Sequence, residues 1–377
     1  MSAESTPGPG IPDETGNEPR HRVKGRRRKP RKRHKGMMVM AWTAAGIVVL
    51  GGAGVGYVYF KLNGNLKSVD IDQALGTDRP KKADNGSENI LVLGSDTRAG
   101  GNKKIGGGTD DGSARSDTAM IVHVYKGHKS ASVVSIPRDT LIDRPSCTDT
   151  KGKEYPAANG VMFNSAYSTG GAACAVKTVE SITDLRMDHY LEVDFAGFQK
   201  LIDDLGGVEV TTTKSIDDPD SHLKLAAGTH RLDGEQALGL VRTRHGVGDG
   251  SDLGRIQLQQ AFIKALLNQV KDVGVFSNPK KLLDLAETAT KTVTADSDLG
   301  SVNKLASFAD GLKGISPSHM HMVTMPVAYD PDDPNRVLLQ KKKAQEIWNA
   351  LEQDKPIPKS ATSGSASGEA KGVVSAP

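Results

Sequence analysis

The sequence predicts an α/β fold, a central mixed β-sheet sandwiched between α-helices and preceded by one N-terminal transmembrane helix. Short β-branched runs, NILVLG (89–94), TAMIVHVY (118–125) and SVVSI (132–136), have the length and composition of buried strands. Segments with a helical apolar period lie among and after them, and strands interleaved with helices bury their apolar faces as a layered sheet. Ahead of all these, the 24 residues 37–60 carry no charge. As a helix they would extend about 36 Å, enough for a hydrocarbon core of roughly 30 Å.

Residues 1–36 read as a disordered cytoplasmic tail rich in Pro, Gly and charge, with eleven Lys or Arg and no acid between 20 and 35. A cleaved signal peptide is the alternative for the apolar run. That run exceeds the usual h-region of about 7–15 residues, and no A-x-A site follows it, so an uncleaved anchor fits better. The positive-inside rule then keeps the basic end in the cytoplasm and puts everything after residue 60 outside a single-pass cell-membrane protein. Residues 61–86 form a polar spacer and 87–353 the folded domain. Within it, further strands are expected at 190–193, 208–211 and 319–325. Helices are expected at 172–185, 195–205, 234–241, 253–270, 280–290 and 302–312, with a closing helix at 336–351. Residues 354–377, dominated by Pro, Gly, Ser and Ala, read as a disordered tail.

Charge separates the two ends. Residues 1–36 hold eleven basic and four acidic side chains, a formal +7; the chain as a whole is +4, leaving 4 − 7 = −3 for the rest. The outer part is therefore no general nucleic-acid surface, and the basic tract reads as a topology signal beside anionic lipid headgroups. Cys147 and Cys174 both fall outside the membrane, where one disulfide is expected; two free buried thiols are the alternative.

Two aspartates stand at expected strand ends, Asp96 in LVLGSDTR and Asp117 in ARSDTAMI. If the strands are neighbours, the carboxylates meet at one sheet edge and suit Mg²⁺, which takes few protein oxygens beside phosphate oxygens. Turn aspartates are the plainer alternative. The glycine-rich connection AGGNKKIGGGTDDGSA closes with no Gly-Lys-Ser/Thr and is no Walker loop. Five arginines, Arg115, Arg138, Arg242, Arg244 and Arg255, also stand near element ends. One such arginine is ordinarily a surface ion pair, but five with several carboxylates make a diphosphate-plus-metal site.

The motifs GSDTR, RSDTAMIV, SIPRDT, FNSAYSTGG, LDGEQALGLVRTR and DLGRIQLQQ, in this order behind one apolar segment, closely resemble the LytR-CpsA-Psr family over about 87–273. The resemblance implies a membrane-anchored phosphotransferase. It would move a glycopolymer such as teichoic acid from a polyprenyl-pyrophosphate carrier to a muramic acid hydroxyl of peptidoglycan. It also implies that Asp96 and Asp117 bind Mg²⁺ (or Mn²⁺). Arg138, Arg242, Arg244 and Arg255 would grip the pyrophosphate with support from Arg115 and Gln259, and Asp252 would help activate the acceptor hydroxyl. A lipid cavity is implied between sheet and helices; segment 188–210 offers Tyr190, Leu191, Val193, Phe195, Phe198, Leu201, Ile202 and Leu205 as apolar surface, most of which would be core in any α/β protein. One departure is Met162, where relatives often carry Lys; Lys177 is a candidate substitute. The competing expectations are a polyprenyl-pyrophosphate hydrolase and a transcriptional attenuator, the latter disfavoured because the arginines lie across the membrane from DNA.

Overall fold

The protein, a computed structural model, is described over residues 56–95 and 116–376. The basic tail, most of the expected transmembrane helix, Asp96 and Arg115 lie outside the described residues. Among the described residues no helix is long and apolar enough to cross a membrane.

A seven-stranded mixed sheet forms the centre. In chain order the strands begin with β1 (Lys67–Val69), β2 (Glu88–Ser95), β3 (Ser116–Val124), β4 (Ala131–Ile136), β5 (Thr140–Arg144), β6 (Ala158–Met162), β7 (His189–Asp194) and β8 (Val208–Thr212), of which β1 to β4 and β7 belong to the central sheet. With β9 (Gly228–Leu232), β10 (Val293–Asp296) and β11 (Met320–Thr324), the central order becomes β1-β10-β7-β2-β3-β4-β11. Pairs β2/β3 and β3/β4 are antiparallel, whereas β7/β2 and β4/β11 are parallel. All six residues of β4 are buried, as a strand covered on both faces requires.

The helices are α1 (Asn164–Thr183), α2 (Phe195–Asp204), α3 (Gly234–Arg242), α4 (Asp252–Asp272), α5 (Pro279–Thr292), α6 (Val302–Leu312) and α7 (Lys341–Glu352). One core joins Leu91, Leu93, Ile121 and Val134 of the sheet to Val176 and Val179 of α1 and to Ile347 and Trp348 of α7. A second joins Ile202 of α2, Leu240 of α3 and Phe262 of α4 to Val208 and Val210. Of the apolar residues offered for a lipid cavity, Tyr190 is packed in the first core, and Ile202 and Phe198 in or against the second.

Four expectations need correction. The helix expected at 172–185 begins already at Asn164 and kinks at Gly170 and Gly171, where the chain leaves helical φ/ψ. Strand β8 pairs with β9 and with β14 (Val374–Ser375) in a separate three-stranded sheet, because β-branched composition reports burial but not partner. The closing helix does not begin at 336: β13 (Val337–Leu339) pairs with β12 (Val327–Tyr329) and β5, and α7 starts only at Lys341. The tail after 353 is packed rather than disordered. Ala361 is buried in the first core and Ala370, Val373 and Val374 in the second, while Ala366 N–H donates to Val327 C=O at 2.9 Å. Small residues read as disorder by composition, yet they are the ones that fit the narrow gaps between finished elements.

Cys147 and Cys174 are disulfide-bonded, with Cα atoms 5.3 Å apart, and no free cysteine remains. The bridge ties the strand pair Cys147–Thr148/Glu154–Tyr155 to α1. Gly170 makes room for it, since a Cβ there would lie 2.2 Å from Cys174 Sγ.

Candidate active site

The site forms at one end of the sheet, where β3 begins, β4 ends and the α3–α4 loop crosses over. Ser95 and Ser116 are register partners across β2 and β3, so Asp117 stands at the first described positions of the antiparallel pair. A bulge between Gly94 and Ser95 accompanies this edge. Behind it, Tyr167 from the FNSAYSTGG motif donates to Glu192 Oε1 at 2.7 Å and receives Ser95 Oγ at 3.4 Å, bracing the ends of β2 and β7. Pro137 turns the chain out of β4, and Thr140 N–H and Oγ both donate back to Pro137 C=O, which fixes the exit of Arg138.

The other half comes from the stretch LVRTRHGVGDGSDLGR. Helix α3 starts on a capping box between Asp233 and Gln236 and ends at Arg242. Asp218, buried in the hairpin Ile216–Asp218/Leu223–Leu225, then accepts the N–H groups of Arg244 and His245 at 2.8 and 2.9 Å and pins the chain where it leaves the helix. Gly246, Gly248 and Gly250 all have positive φ, at 76°, 60° and 77°. Gly248 is required by a close approach: a Cβ would fall 2.1 Å from Gly368 C=O of the C-terminal segment. Asp249 accepts from Tyr329 Oη and from Ser251 N–H at 2.9 Å, and its own N–H donates to Gly368 C=O at 3.1 Å. It is a loop brace. Ser251 caps α4, whose first residue is Asp252.

Three arginines and three aspartates converge. Arg138 Nη1 pairs with Asp117, and Arg138 Nε lies 3.6 Å from Asp139 and 3.7 Å from Asp252. Asp252 Oδ1 also pairs with Arg255 and lies 3.8 Å from Arg244 Nη2, while its Oδ2 accepts the Arg138 backbone N–H at 3.3 Å. Arg255 Nη2 reaches the Asp117 carbonyl at 2.7 Å. Despite this density, Arg138 Nε, Arg255 Nε and Asp252 Oδ1 are buried without a hydrogen-bond partner among the described residues.

Electrostatics follows the crowding. Burial by itself would raise the Asp117 carboxyl, but Arg255, Arg138 and Arg244 hold it below the usual range. Arg244 is pushed down to about 10 by burial and by its cationic neighbours Arg255 and Arg138. Asp139 moves the other way: burial and the charge of Asp252 raise it more than the arginines lower it. A cavity of about 230 Å³ opens over the cluster, lined by Arg138, Asp139, Arg244, Asp252, Tyr329 and Arg336 among others.

Of the residues singled out in the sequence, Asp117, Arg138, Arg244, Asp252 and Arg255 meet here. Arg242 lies one element away, its guanidinium 5.0 Å from the Phe195 ring centroid. Phe195 follows Asp194, the register partner of Ser95, so this contact sits at the same sheet end. Gln259 Nε2 donates to Thr118 Oγ1 at 3.0 Å and to Val241 C=O at 2.9 Å, which engages both its amide hydrogens in clipping α4 to β3 and α3. Lys177, the candidate substitute for the missing lysine, lies on α1 beyond a kink at Gly170 and Gly171 and makes no ion pair with this cluster among the described residues. Sequence reasoning noted Asp139 only as a neighbour of Arg138 and passed over Tyr329 and Arg336. Asp139 adjoins a motif arginine; the other two come from a hairpin that only the fold brings close.

The sequence profile of the LytR_cpsA_psr family matches residues 58–353. The chain belongs to this family. Among LytR_cpsA_psr relatives, the cell wall biosynthesis protein LcpA of Corynebacterium glutamicum is 32% identical over 316 residues, covering 77% of this chain and 59% of that one. The polyisoprenyl-teichoic acid–peptidoglycan teichoic acid transferase TagT of Bacillus subtilis is 31% identical over 340 residues, 87% of this chain and 97% of the relative. Among solved structures, a LytR-Csp2A-Psr enzyme from Actinomyces oris superposes with a TM-score of 0.55 at 23% identity, over 76% of this chain and 96% of that one, a likeness of fold. TagT bound to LIIa-WTA superposes at 0.53 with 25% identity, over 75% of this chain and 96% of that structure. The chain thus spans about three-fifths of the corynebacterial relative and nearly all of TagT. The family match begins at 58 rather than at the expected boundary of 87, and ends at 353, before the packed C-terminal segment.

Proposed function

We propose that this chain is a cell-envelope phosphotransferase that moves a glycopolymer from a polyprenyl-pyrophosphate carrier to a hydroxyl of peptidoglycan. The observation that carries it is the converging cluster in which Arg138 Nε and Arg255 Nε remain buried N–H donors without acceptors. Each such donor costs about 1–3 kcal/mol until an acceptor arrives, and a diphosphate offers acceptor oxygens to several guanidiniums at once. The relatives named as teichoic acid transferases and the structure of TagT bound to LIIa-WTA support the substrate class.

Phosphoryl transfer asks a protein for position and charge stabilisation rather than covalent chemistry. Arg138, Arg244 and Arg255 would hold the diphosphate and meet the charge gained by the departing lipid phosphate; Arg242, over Phe195, would extend the grip toward the lipid side. The donor set fits a divalent ion on charge grounds. The three arginines and three aspartates cancel, so a bound diphosphate leaves an anionic site that a cation would neutralise. Asp117, with Asp96, would hold Mg²⁺ or Mn²⁺, which supplies Lewis-acid stabilisation of phosphate oxygens. We further propose that residues 37–60 anchor the chain in the cell membrane with the domain outside, near lipid donor and wall acceptor alike.

The test is incubation of the full chain with lipid-linked glycopolymer, with and without peptidoglycan. Acceptor-dependent formation of a glycan–muramyl phosphodiester, detected by mass, is expected; acceptor-independent release of phosphate would make it a hydrolase instead.

A further inference from the structure

Asp252 is the acidic residue that the motif places beside the acceptor, but its surroundings argue against proton transfer there. Its Oδ1 faces Arg138, Arg244 and Arg255 and its Oδ2 accepts a backbone N–H. Three guanidiniums stand around that carboxylate, and with 8% of its side chain exposed an acceptor hydroxyl has little access to it. Asp117 is likewise held by Arg138.

Asp139 differs from both in its contacts. It lines the cavity, has 19% of its side chain exposed against 8% for Asp252, and has one guanidinium within 4 Å, Arg138 Nε at 3.6 Å, with Arg244 and Arg255 acting from further off and no side-chain hydrogen bond among the described residues. The groups facing it are Arg138 beside it, Arg244 and Asp252 from the α3–α4 loop and the start of α4, Arg255 one turn on, and Arg336 with Tyr329 across the cavity. The cavity has sugar-sized volume and a polar lining and opens on the face of the arginines where Asp139 sits.

We propose, resting on the transfer reading above, that this cavity receives the acceptor sugar and that Asp139, not Asp252, is the general base. The acceptor O–H gives its proton to the Asp139 carboxylate as its oxygen forms a bond to the sugar-side phosphorus. The bond from that phosphorus to the bridging oxygen breaks, its electron pair leaving on polyprenyl monophosphate. Asp252 instead orders the three arginines. The upward displacement of Asp139 by burial and by Asp252 suits this work, because a base is most effective with a pKa near the working pH. Transfer should therefore fall as pH drops through that raised value, where Asp139 takes up its proton.

The experiment compares wild type, Asp139→Asn, Asp139→Glu and Asp252→Asn as full chains. Transfer to peptidoglycan is measured across pH, and binding of geranylgeranyl diphosphate is measured by calorimetry. Asp139→Asn should lose at least about 100-fold in kcat and lose the acid limb of the profile, with diphosphate affinity within threefold of wild type. Asp139→Glu should recover at least tenfold over the Asn variant, and Asp252→Asn should lose diphosphate affinity. The idea is overturned if Asp139→Asn transfers within fivefold of wild type, keeps the acid limb, or loses diphosphate binding in step with activity. Should the wild type hydrolyse the donor without any transfer, the transfer reading fails separately; Asp139 as base then stands only if Asp139→Asn loses that hydrolysis and its acid limb.

Discussion

Arg244 and Arg255 carry the same charge into the same cluster, yet removing them should have opposite consequences for stability. Arg255 has 4% of its side chain exposed, pairs with Asp252 and donates to the Asp117 carbonyl. Arg255→Met leaves Asp252 in a half-dismantled network and should cost about 3–5 kcal/mol in denaturant unfolding, besides abolishing transfer. Arg244 has 29% of its side chain exposed and makes one ion pair among the described residues, at 3.8 Å. Its pKa is depressed to about 10 by burial and by Arg255 and Arg138, so the folded protein tolerates this cation rather than gaining from it. Arg244→Met should leave unfolding free energy within about 1 kcal/mol of wild type, or raise it, while reducing transfer at least about 100-fold through lost charge stabilisation. Equal stability losses in the two variants would show that the cluster is held by something other than this asymmetry.

The α3–α4 connection is shaped by elements that share no motif with it. Asp218 accepts four backbone N–H groups, from Arg244, His245, Asp220 and Ser221. Burial would raise this carboxyl, but the four donors hold it below its ordinary value. Its contribution is therefore present above the unfolded pKa of about 3.9 and is lost as pH falls through the lower folded value. Asp218→Ala should cost about 3 kcal/mol at pH 7, and the gap from wild type measured by urea unfolding should shrink below about pH 4. A gap independent of pH would mean that the carboxylate is not what pins Arg244. The disulfide acts on a neighbouring element in another way, closing a 27-residue separation between the 147–155 strands and α1. Replacing both cysteines by alanine should lower stability by about 3 kcal/mol with little change in transfer per folded molecule, since the bridge lies behind the sheet end and not among the arginines.

Taken whole, the chain finishes by lacing itself together. Residues after 353 run from the first core, at Ala361, across the arginine loop at Gly368, to β14 on the edge of the second sheet. At the crossing, Gly368 lies so near Gly254 that a Cβ would fall 2.1 Å from Gly254 N. Truncation after residue 356 should leave the central sheet folded, because its strands and helices precede that point, while loosening residues 246–254. The expected result is a transfer loss of at least about tenfold, about 1.4 kcal/mol of transition-state stabilisation, with hydrogen exchange accelerated at 246–254 and not in β2–β4. Unchanged exchange in that loop would show that the tail only covers it.

How much of this was legible follows physical lines. Strands β2, β3, β4 and β7 and helices α2, α3 and α4 were legible within a residue or two because each buries its own apolar face, and that demand is written in a local period. Asp117, Arg138, Arg244, Asp252 and Arg255 were legible because charged residues clustered at element ends are hard to place in a fold without an anion. The partner of β8, the strand at 337–339 and the packed tail were not, since pairing and gap-filling depend on surfaces contributed by distant segments. The same holds within the site. Composition and motif pointed to positive charge gathering at one sheet edge, whereas the enclosure of Asp252 by three guanidiniums, the position of Asp139 on the cavity and the bracing of Asp249 by Tyr329 and Gly368 were decided by tertiary contact. A side chain's chemistry is carried by its identity, but its basicity and its room for a substrate are set by neighbours that can lie a hundred residues away.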